Sequence, residues 1–205
     1  MTSQAHWEEV YRSKEPQQTS WYEPHLETSF DWITGSLPDH NASIIDIGGG
    51  ESTLVDDLLA VGYSDVTVLD ISLTAIEKCE KRLGVAKDQV RWLVADVTKT
   101  ELPPSTYDLW HDRAVFHFLT EPEQRAAYKA RLVSSLKPEG HVVIATFGPR
   151  GPERCSGLKT VRYDAESMLR EMGAGFHLVR NAVIDHQTPF GTTQEFLYCE
   201  FSLTS

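Results

Sequence analysis

Short apolar runs and longer amphipathic segments alternate along this chain from residue 43 onward. The short runs predict strands at 44–47, 66–70, 90–94, 107–111 and 141–147, and the second of them is rich in β-branched residues. Segments with apolar residues at helical spacing lie between them and predict helices over 52–61, 73–83, 122–136 and 164–172. Because strands alternate with helices, we expect a mostly parallel sheet that is covered by helices on both faces.

The end of the chain breaks this alternation. Two long strand patterns, 176–186 and 193–203, follow one another without a helix between them. Pro189 and Gly191 favour a turn at their connection, so the two strands are predicted to form an antiparallel hairpin at one edge of the sheet. The prediction is an α/β protein with a doubly wound, mostly parallel seven-stranded sheet over residues 43–205 and an N-terminal helical, aromatic cap over residues 1–42.

Composition and charge narrow the class of protein. The chain has 205 residues, of which 40% are hydrophobic and 24% charged, values that are ordinary for a soluble domain. No apolar run approaches the ~20 residues that span a bilayer, and the polar N-terminus does not read as a signal or transit peptide. The net charge of −11 disfavours nucleic acid as a partner, since a binder needs a basic footprint. We therefore expect no membrane or nucleic-acid partner.

The cysteines indicate a reducing compartment. Cys79, Cys155 and Cys199 are far apart and odd in number, which disfavours a disulfide framework. No Cys-x-x-Cys or His-x-x-x-His spacing suggests a metal site. The expected location is the cytoplasm, with no metal in the site.

A run of three glycines follows the first predicted strand. Gly48, Gly49 and Gly50 come directly after the apolar run that contains Asp46, and a helix pattern follows. Such a turn allows backbone to approach a nucleotide-like ligand closely, although it is also compatible with a simple tight turn. A dinucleotide site has Gly-x-Gly-x-x-Gly, but here Thr53 occupies the third glycine position. Together with the missing Tyr-x-x-x-Lys pair, this disfavours an NAD-linked reductase.

Acidic residues end the next two strands. S-adenosylmethionine has no phosphate and carries an ammonium and a sulfonium, so a carboxylate near the glycine turn favours it. Asp70 follows Gly50 by about 20 residues, a spacing typical of a carboxylate that accepts both ribose hydroxyls. Asp96 ends the third strand, where it would meet the adenine amino group. Each of these acids taken alone is also compatible with a helix cap or a turn.

In these motifs the chain resembles the class I, Rossmann-like S-adenosylmethionine-dependent methyltransferases, from residue 43 to the C-terminus. The motifs are Asp46-Ile-Gly-Gly-Gly, Val68-Leu-Asp70-Ile71-Ser72, Ala95-Asp96-Val97 and Tyr107-Asp-Leu-Trp-His-Asp112-Arg113. The resemblance implies S-adenosyl-L-methionine as the cofactor, with Gly48 to Gly50 beside its methionine part. It further implies that Asp70 and Ile71 hold ribose and adenine, and that Asp96 and Val97 hold the adenine edge.

Aromatic residues are concentrated in the predicted cap. Trp7 and Tyr11 are four residues apart and share one face of a helix. Together with Trp21, they either pack on the core or form a lid over the cofactor. In a lid, the faces of the aromatic rings would stabilise the positively charged sulfonium of the cofactor. The segment Gln17-Gln-Thr-Ser-Trp21-Tyr22 also resembles, more loosely, an element ahead of the glycine motif in small methyltransferase-like protein lysine methyltransferases.

The candidate residues for the acceptor side lie after the fourth and fifth strands. Asp112 is a candidate for the cofactor ammonium or the acceptor edge. Arg113 would anchor an anionic acceptor or pair with a local acid. His117 is a candidate general base, because an unperturbed histidine has a pKa near 6.5, although a packed histidine is an equal alternative. Further candidates for acceptor binding come from the neighbouring segment and from the glycine- and proline-rich loop 148–158, and are Phe118, Arg154 and Cys155.

The acceptor is less well specified than the cofactor. No Asn/Asp-Pro-Pro-Tyr motif follows the fourth strand, which disfavours amide or exocyclic base nitrogens as the methylated atoms. A small catalytic domain with a short cap favours a small, enclosed acceptor. The hypothesis is methylation of a small molecule through a thiol or a similar heteroatom. The alternatives are a protein lysine N-methyltransferase and a non-catalytic cofactor-binding protein of the same fold.

Overall fold

The computed structural model describes residues 3–204, so positions 1, 2 and 205 of the two predicted parts lie outside it. Seven strands form the main sheet, and their order across it is β3 (Val90–Val94), β2 (Asp65–Asp70), β1 (Ser43–Ile47), β4 (Tyr107–Arg113), β5 (Leu136–Phe147), β9 (Thr193–Leu203) and β8 (Phe176–Gln187). A separate two-stranded ribbon consists of β6 (Arg154–Cys155) and β7 (Leu158–Lys159). The helices are α1 (Ser3–Ser13), α2 (Glu27–Ser36), α3 (Leu54–Ala60), α4 (Leu73–Leu83), α5 (Pro122–Ser135) and α6 (Ala165–Met172).

The sheet confirms the predicted fold class. β3, β2, β1, β4 and β5 pair in parallel, while β9 runs antiparallel to both β5 and β8. The predicted hairpin is therefore present at the edge of the sheet. The strand order reverses between β1 and β4, and in such sheets ligands bind beyond the carboxyl ends of the strands at this switch point.

The central strands are buried because helices cover both faces of the sheet. All five residues of β1 are buried, as expected for a strand in the middle of a parallel sheet. Ile45 and Trp110 belong to a core cluster on one face, whereas Ile44 and Leu109 belong to a second cluster on the other. Two separate apolar layers thus support the strand ends that carry the acidic residues.

Helix ends follow the expected chemistry. The carboxylate of Asp164 accepts a hydrogen bond from the backbone N–H of Ser167 at 2.7 Å, and Gly173 ends α6 with a φ of +90°. α5 begins with Pro122, whose missing N–H costs nothing in a first turn. α3 begins at Leu54, two residues later than predicted, because the backbone N–H of Leu54 bonds instead to the Ser52 side chain.

One boundary prediction was wrong. Leu136 was predicted to be the last residue of the helix over 122–136, but α5 ends at Ser135 and β5 begins at Leu136, five residues before the predicted strand 141–147. Leu136 pairs with Tyr107 and His141 pairs with Leu109, so the extra residues of β5 form a bulge opposite β4. Glu139 adopts a φ of +64° within this bulge.

The N-terminal helix is attached to the domain by side-chain contacts. The carboxylate of Glu8 in α1 accepts hydrogen bonds from the backbone N–H of Leu73 (2.5 Å) and the hydroxyl of Thr74 (2.6 Å), at the start of α4. A carboxylate is favourable at a helix N-terminus. Lys78 of α4 donates to the backbone carbonyls of Tyr11 and Lys14. Among the helices of residues 3–204, none combines the length and the apolar character needed to cross a membrane.

Candidate active site

A cleft of about 1010 Å³, partly open to solvent, lies beyond the carboxyl ends of β1, β2, β3 and β4. The predicted cofactor and acceptor residues in its lining are Trp7, Tyr11, Trp21, Gly48, Asp70, Ile71, Asp96, Val97, Arg113, His117, Phe118 and Cys155. A smaller cleft of about 530 Å³ adjoins it, sharing Tyr11, Trp21, Gly48 and Arg113, and also contains Asp46 and Gly49. Most of the predicted site residues, from widely separated parts of the chain, are thus brought together.

The glycine turn is shaped by what packs against it. Gly50 has a φ of +41°, and a Cβ there would lie 2.9 Å from both Asp70 Oδ2 and the hydroxyl oxygen of Tyr11. A Cβ on Gly49 would lie 2.6 Å from Asp46 Oδ2. The glycines therefore allow two acidic side chains and the cap to meet at the end of β1.

Asp70 is a buried acid at the end of β2. Only 3% of its surface is exposed, and its Oδ1 accepts a hydrogen bond from the backbone N–H of Ser72 at 2.8 Å. Burial raises the pKa of Asp70 to about 7, and the nearby negative charge of Asp46 adds to the shift. A buried carboxylate of this kind is stabilised by further hydrogen-bond donors, such as the two hydroxyls of a ribose.

Asp96 is held differently. Its Oδ1 accepts hydrogen bonds from the backbone N–H and the hydroxyl of Thr98, and its Oδ2 lies 2.9 Å from Lys99 Nζ. Burial acts to raise the pKa of Asp96, but these donors outweigh it and lower the pKa. Asp96 is therefore ionised at neutral pH at its place in the cleft.

Asp46 forms a buried pair with a histidine. Its Oδ1 lies 2.6 Å from Nδ1 of His111, whose Nε2 lies 2.9 Å from the hydroxyl of Ser29 in α2. All three side chains are buried. The acid before the glycine turn is thereby oriented by the neighbouring strand and by the N-terminal segment.

The aromatic residues of the cap meet over the main cleft. The ring centroid of Trp7 lies 6.2 Å from that of Tyr11, 5.9 Å from that of Trp21 and 5.1 Å from that of Phe118. All four line the cleft, and we call them the aromatic roof. Trp7 and Tyr11 lie on one face of α1, as their spacing predicts.

Arg113 is fully engaged by its neighbours. Its guanidinium donates to the backbone carbonyl of Trp21 at 2.9 Å and to the Tyr198 hydroxyl at 3.2 Å, and lies 3.2 Å from Glu23 Oε1. It also lies 4.8 Å from the ring centroid of Phe196. The sequence left two roles open for Arg113, anchoring an anionic acceptor or pairing with a local acid, and the structure shows the pairing.

The expectation that Asp112 faces the cofactor ammonium or the acceptor is corrected. Asp112 is fully buried and lines neither cleft. Its Oδ1 accepts from the backbone N–H of Val115 at 2.9 Å, and its Oδ2 accepts from the backbone N–H of Phe116 and from the hydroxyl of Tyr128 at 2.6 Å. Burial raises its pKa to about 6. Its carboxylate holds the turn after β4 rather than facing a ligand.

The expectation that His117 acts as a general base is also corrected. Its Nδ1 accepts a hydrogen bond from the backbone N–H of Phe147 at 3.1 Å, and its ring stacks on the Phe147 ring with centroids 4.3 Å apart. Burial is the main cause that lowers the pKa of His117 to about 3, and the charge of Arg113 contributes to the shift. The imidazole is therefore neutral at physiological pH. The lone pair of Nδ1, which a general base would use, already accepts the hydrogen bond from Phe147.

The two candidates from the loop 148–158, Cys155 and Arg154, lie in different places. Cys155 lines the main cleft, is buried, and has its Sγ 3.9 Å from the Ser20 hydroxyl; burial raises the pKa of its thiol. Arg154 lies outside both clefts, is exposed, and donates to the backbone carbonyl of Gly157 at 2.7 Å. Its predicted place in the acceptor pocket is corrected, because alternate residues of β6 point to opposite sides.

A family model described as "Methyltransferase domain" matches residues 44–140. The match begins at β1, extends into β5, and includes the glycine turn, Asp70 and Asp96. The chain therefore carries a methyltransferase domain over just under half of its length. This match supports an S-adenosylmethionine-dependent methyltransferase.

Several known proteins are similar to this methyltransferase. The eEF1A lysine and N-terminal methyltransferase of Mus musculus is 27% identical over 120 residues, which cover 58% of this chain and 17% of that protein. The malonyl-[acyl-carrier protein] O-methyltransferase of Halalkalibacterium halodurans is 32% identical over 115 residues, which cover 54% of this chain and 41% of that protein. This methyltransferase thus matches less than half the length of either relative.

A solved structure shows the same fold. The N-methyltransferase NodS from Bradyrhizobium japonicum, in complex with S-adenosylhomocysteine, superposes with a TM-score of 0.75 at 18% identity, covering all of both chains. At this identity the likeness establishes the architecture of the methyltransferase and leaves its acceptor open.

Sequence reasoning did not single out several residues of this methyltransferase's site. His111, Ser29 and Glu23 are placed by the fold beside Asp46 and Arg113. One signal was available for the first of them, because the parallel pairing of β1 with β4 sets Asp46 directly opposite His111. Ser29 and Glu23 lie in the cap, whose docking no local pattern specifies.

Proposed function

We propose that this methyltransferase acts on a small-molecule acceptor through a thiol or a similar heteroatom. The observation that supports the proposal is the chemistry of the cleft beyond the cofactor residues. That part, here called the acceptor pocket, is mainly aromatic and apolar and consists of His117, Phe118, Phe147, Cys155, Leu158 and Phe196. Pockets of this kind suit small ligands with apolar bodies.

The cofactor residues fit S-adenosylmethionine in this proposal. The buried, weakly satisfied carboxylate of Asp70 would accept the ribose hydroxyls, with Ile71 beside the adenine. Asp96 and Val97 would hold the adenine edge. Asp46, Gly48 and Gly49, which line the smaller cleft, would face the charged amino-acid end. The bound cofactor supplies a methyl group on a positively charged sulfonium.

The protein's own contribution is enclosure and alignment. The aromatic roof would close over the bound cofactor and exclude water, and its ring faces would stabilise positive charge. Positioning two reactants in line supplies much of the acceleration in a transfer of this kind. A thiol needs no enzymatic base, because its pKa near 8.5 leaves a fraction ionised at neutral pH.

A protein lysine is the second candidate, favoured by the name of the mouse relative. A lysine ammonium has a pKa near 10.4 and must lose a proton before it reacts. The acids that line the smaller cleft are engaged: Asp46 by His111, Glu23 by Arg113 and His186, and Glu51 by Lys78. Among residues 3–204, no unengaged carboxylate lines the smaller cleft, which supports the thiol over the lysine.

We also propose that the cap over residues 1–42 is the lid of a cofactor-binding domain formed by residues 43–205. Glu8 and Lys78 attach the cap to α4 beside the cleft, and the roof residues Trp7, Tyr11 and Trp21 come from it. The three cysteines are free, which supports a reducing location such as the cytoplasm.

A turnover screen tests the proposed function. Purified enzyme is incubated with S-adenosylmethionine and either a panel of thiols, a panel of primary amines or a protein lysate, and S-adenosylhomocysteine is quantified. Turnover with apolar thiols is expected. Formation of S-adenosylhomocysteine with the protein lysate, without turnover of any thiol, would contradict the proposal and favour the lysine candidate.

A further inference from the structure

A residue in the lining of the acceptor pocket has one ring nitrogen without a partner among residues 3–204. Nε2 of His117 is buried and has no hydrogen-bond partner among residues 3–204. Buried polar atoms are nearly always paired, so an unpaired one in the lining of a ligand cleft calls for an explanation. Since His117 lies in the acceptor pocket, a bound acceptor is the natural partner.

The hydrogen bonds around the ring determine which nitrogen carries the proton. A backbone N–H can only donate, so Nδ1 of His117 must accept from Phe147 and carries no hydrogen. In a neutral imidazole the other nitrogen is then protonated. The ring is also fixed in place, stacked on Phe147 and edge-on to Phe118 at 4.5 Å. His117 therefore offers a fixed N–H donor and no base.

We infer that His117 determines acceptor specificity by donating its Nε2–H to the reacting heteroatom of the methyl acceptor. This inference rests on the proposed small-molecule function. A donor at that position favours an atom with an available lone pair and no proton to lose, such as a thiolate. The acceptor proton goes to solvent before the transfer. The thiolate sulfur then forms its bond to the methyl carbon as the sulfonium carbon–sulfur bond breaks, so that the two charges cancel.

Other titratable groups around the cleft do not supply the missing base. The charged or titratable residues in its lining, apart from His117, are Tyr11, Asp70, Asp96, Arg113 and Cys155. Tyr11 and Cys155 have raised pKa values because they are buried, and Arg113 is paired with Glu23. Asp70 and Asp96 lie at the strand ends assigned to the cofactor. An acceptor that arrives deprotonated is the one that this arrangement suits.

Two substitutions separate the donor from the structural role of His117. In His117→Asn the amide oxygen takes the place of Nδ1 and keeps the bond to the Phe147 N–H, but the distal donor is lost. In His117→Gln the amide nitrogen reaches the Nε2 position and restores that donor. We expect kcat/KM for thiols to fall by about 10- to 100-fold in His117→Asn, the range for a hydrogen bond to a charged atom, and to recover at least partly in His117→Gln.

The relative kcat/KM of the two variants decides whether His117 acts as a donor to the acceptor. A purely structural role predicts the opposite order, because only asparagine keeps the Phe147 bond. Equal activity of both variants with the wild type would also overturn the inference. Binding of S-adenosylhomocysteine by calorimetry, unchanged in both, shows that each variant is folded. Absence of thiol turnover in the wild-type enzyme would overturn the proposed function and this inference together, whereas the variant order bears on His117 alone.

A pH series gives an independent readout. kcat/KM for the thiol is measured at saturating S-adenosylmethionine, so that ionisation of Asp70 in the free enzyme does not contribute. With alkyl and aromatic thiols of different acidity, the midpoint of the rising limb is expected to follow the ionisation of each thiol. A midpoint that stays constant across the series would reveal an enzymatic base and overturn the inference.

Discussion

Val115 packs directly against the α-carbon of Gly48. A Cβ at position 48 would lie 2.1 Å from Cγ2 of Val115, and Gly48 has a φ of +67°. Val115 follows β4, and its backbone N–H bonds to Asp112. A glycine is therefore required at position 48 for two reasons, the contact with Val115 after β4 and the positive φ of the backbone.

Replacement of Gly48 by alanine is expected to destabilise the protein and weaken cofactor binding. A non-glycine residue at positive φ costs about 1–3 kcal/mol, and the overlap with Val115 adds a similar amount. The control is Gly84→Ala, because Gly84 has a φ of +60° with nothing within 4 Å of a Cβ. Chemical denaturation and calorimetry with S-adenosylhomocysteine measure both effects. Equal losses in the two variants would show that the Val115 contact is unimportant.

Cofactor binding is expected to release a proton from Asp70. The pKa of Asp70 is raised to about 7 in the free protein, and hydroxyl donors favour its ionised form. Affinity for S-adenosylhomocysteine should therefore fall below pH 7, by up to about tenfold per pH unit. Calorimetry in buffers of different ionisation enthalpy detects the proton. Asp70→Asn should abolish its release, whereas Asp65→Asn, at the opposite and more exposed end of β2, should not.

The same group affects stability with a defined sign. Because the folded pKa of Asp70 lies above its unfolded value near 3.9, the folded state binds the proton more tightly. The free energy of unfolding contributed by this group decreases as pH rises from about 4 to about 7. Removing the charge in Asp70→Asn should therefore stabilise the cofactor-free protein at pH 7 and have little effect at pH 4, measured by denaturation at both values. A penalty at pH 7 would contradict the assignment.

Loss of the Glu8 contacts should loosen the lid. Glu8→Gln removes the charge that faces the start of α4, where such an interaction is worth about 0.3–1 kcal/mol. We expect S-adenosylhomocysteine to dissociate about 2- to 5-fold faster in stopped-flow measurements. Glu9→Gln is the matched control, because Glu9 only pairs at 3.4 Å with Arg12 on the exposed side of α1. The same rate for both variants would show that α1 does not govern release.

The hydroxyl of Tyr128 stabilises the buried turn after β4. It donates to Asp112 at 2.6 Å and accepts from the indole N–H of Trp110 at 2.7 Å. Tyr128→Phe leaves both groups short of a partner and should lower the free energy of unfolding by about 1–3 kcal/mol. Tyr163→Phe should have little effect, since its buried hydroxyl has no partner within the described residues. If the two variants were equally stable, Asp112 would not depend on Tyr128.

The order of elements and the cofactor side of the site were predictable from local patterns. Short apolar runs specified β1 to β4 to within a residue or two, since apolar periodicity is a local property. Asp70 and Asp96 are placed by strand ends alone, because parallel strands end at one edge of the sheet. The bulge of β5 was missed because its residues 137–140 form a good turn in isolation. Only the pairing of the flanking Leu136 and His141 with β4 makes them part of the strand.

The sequence by itself determined the strand-and-helix alternation, the glycine turn and the acids at the strand ends, from which S-adenosylmethionine was predicted. Only the tertiary structure decided the state of the acceptor-side residues. Asp112 is buried under Tyr128, Arg113 is paired with Glu23, and His117 accepts the N–H of Phe147. Those partners lie 16, 90 and 30 residues away along the chain. A side chain's chemistry depends on burial and on which donors surround it, and contacts at such separations are not encoded in any local pattern of residues.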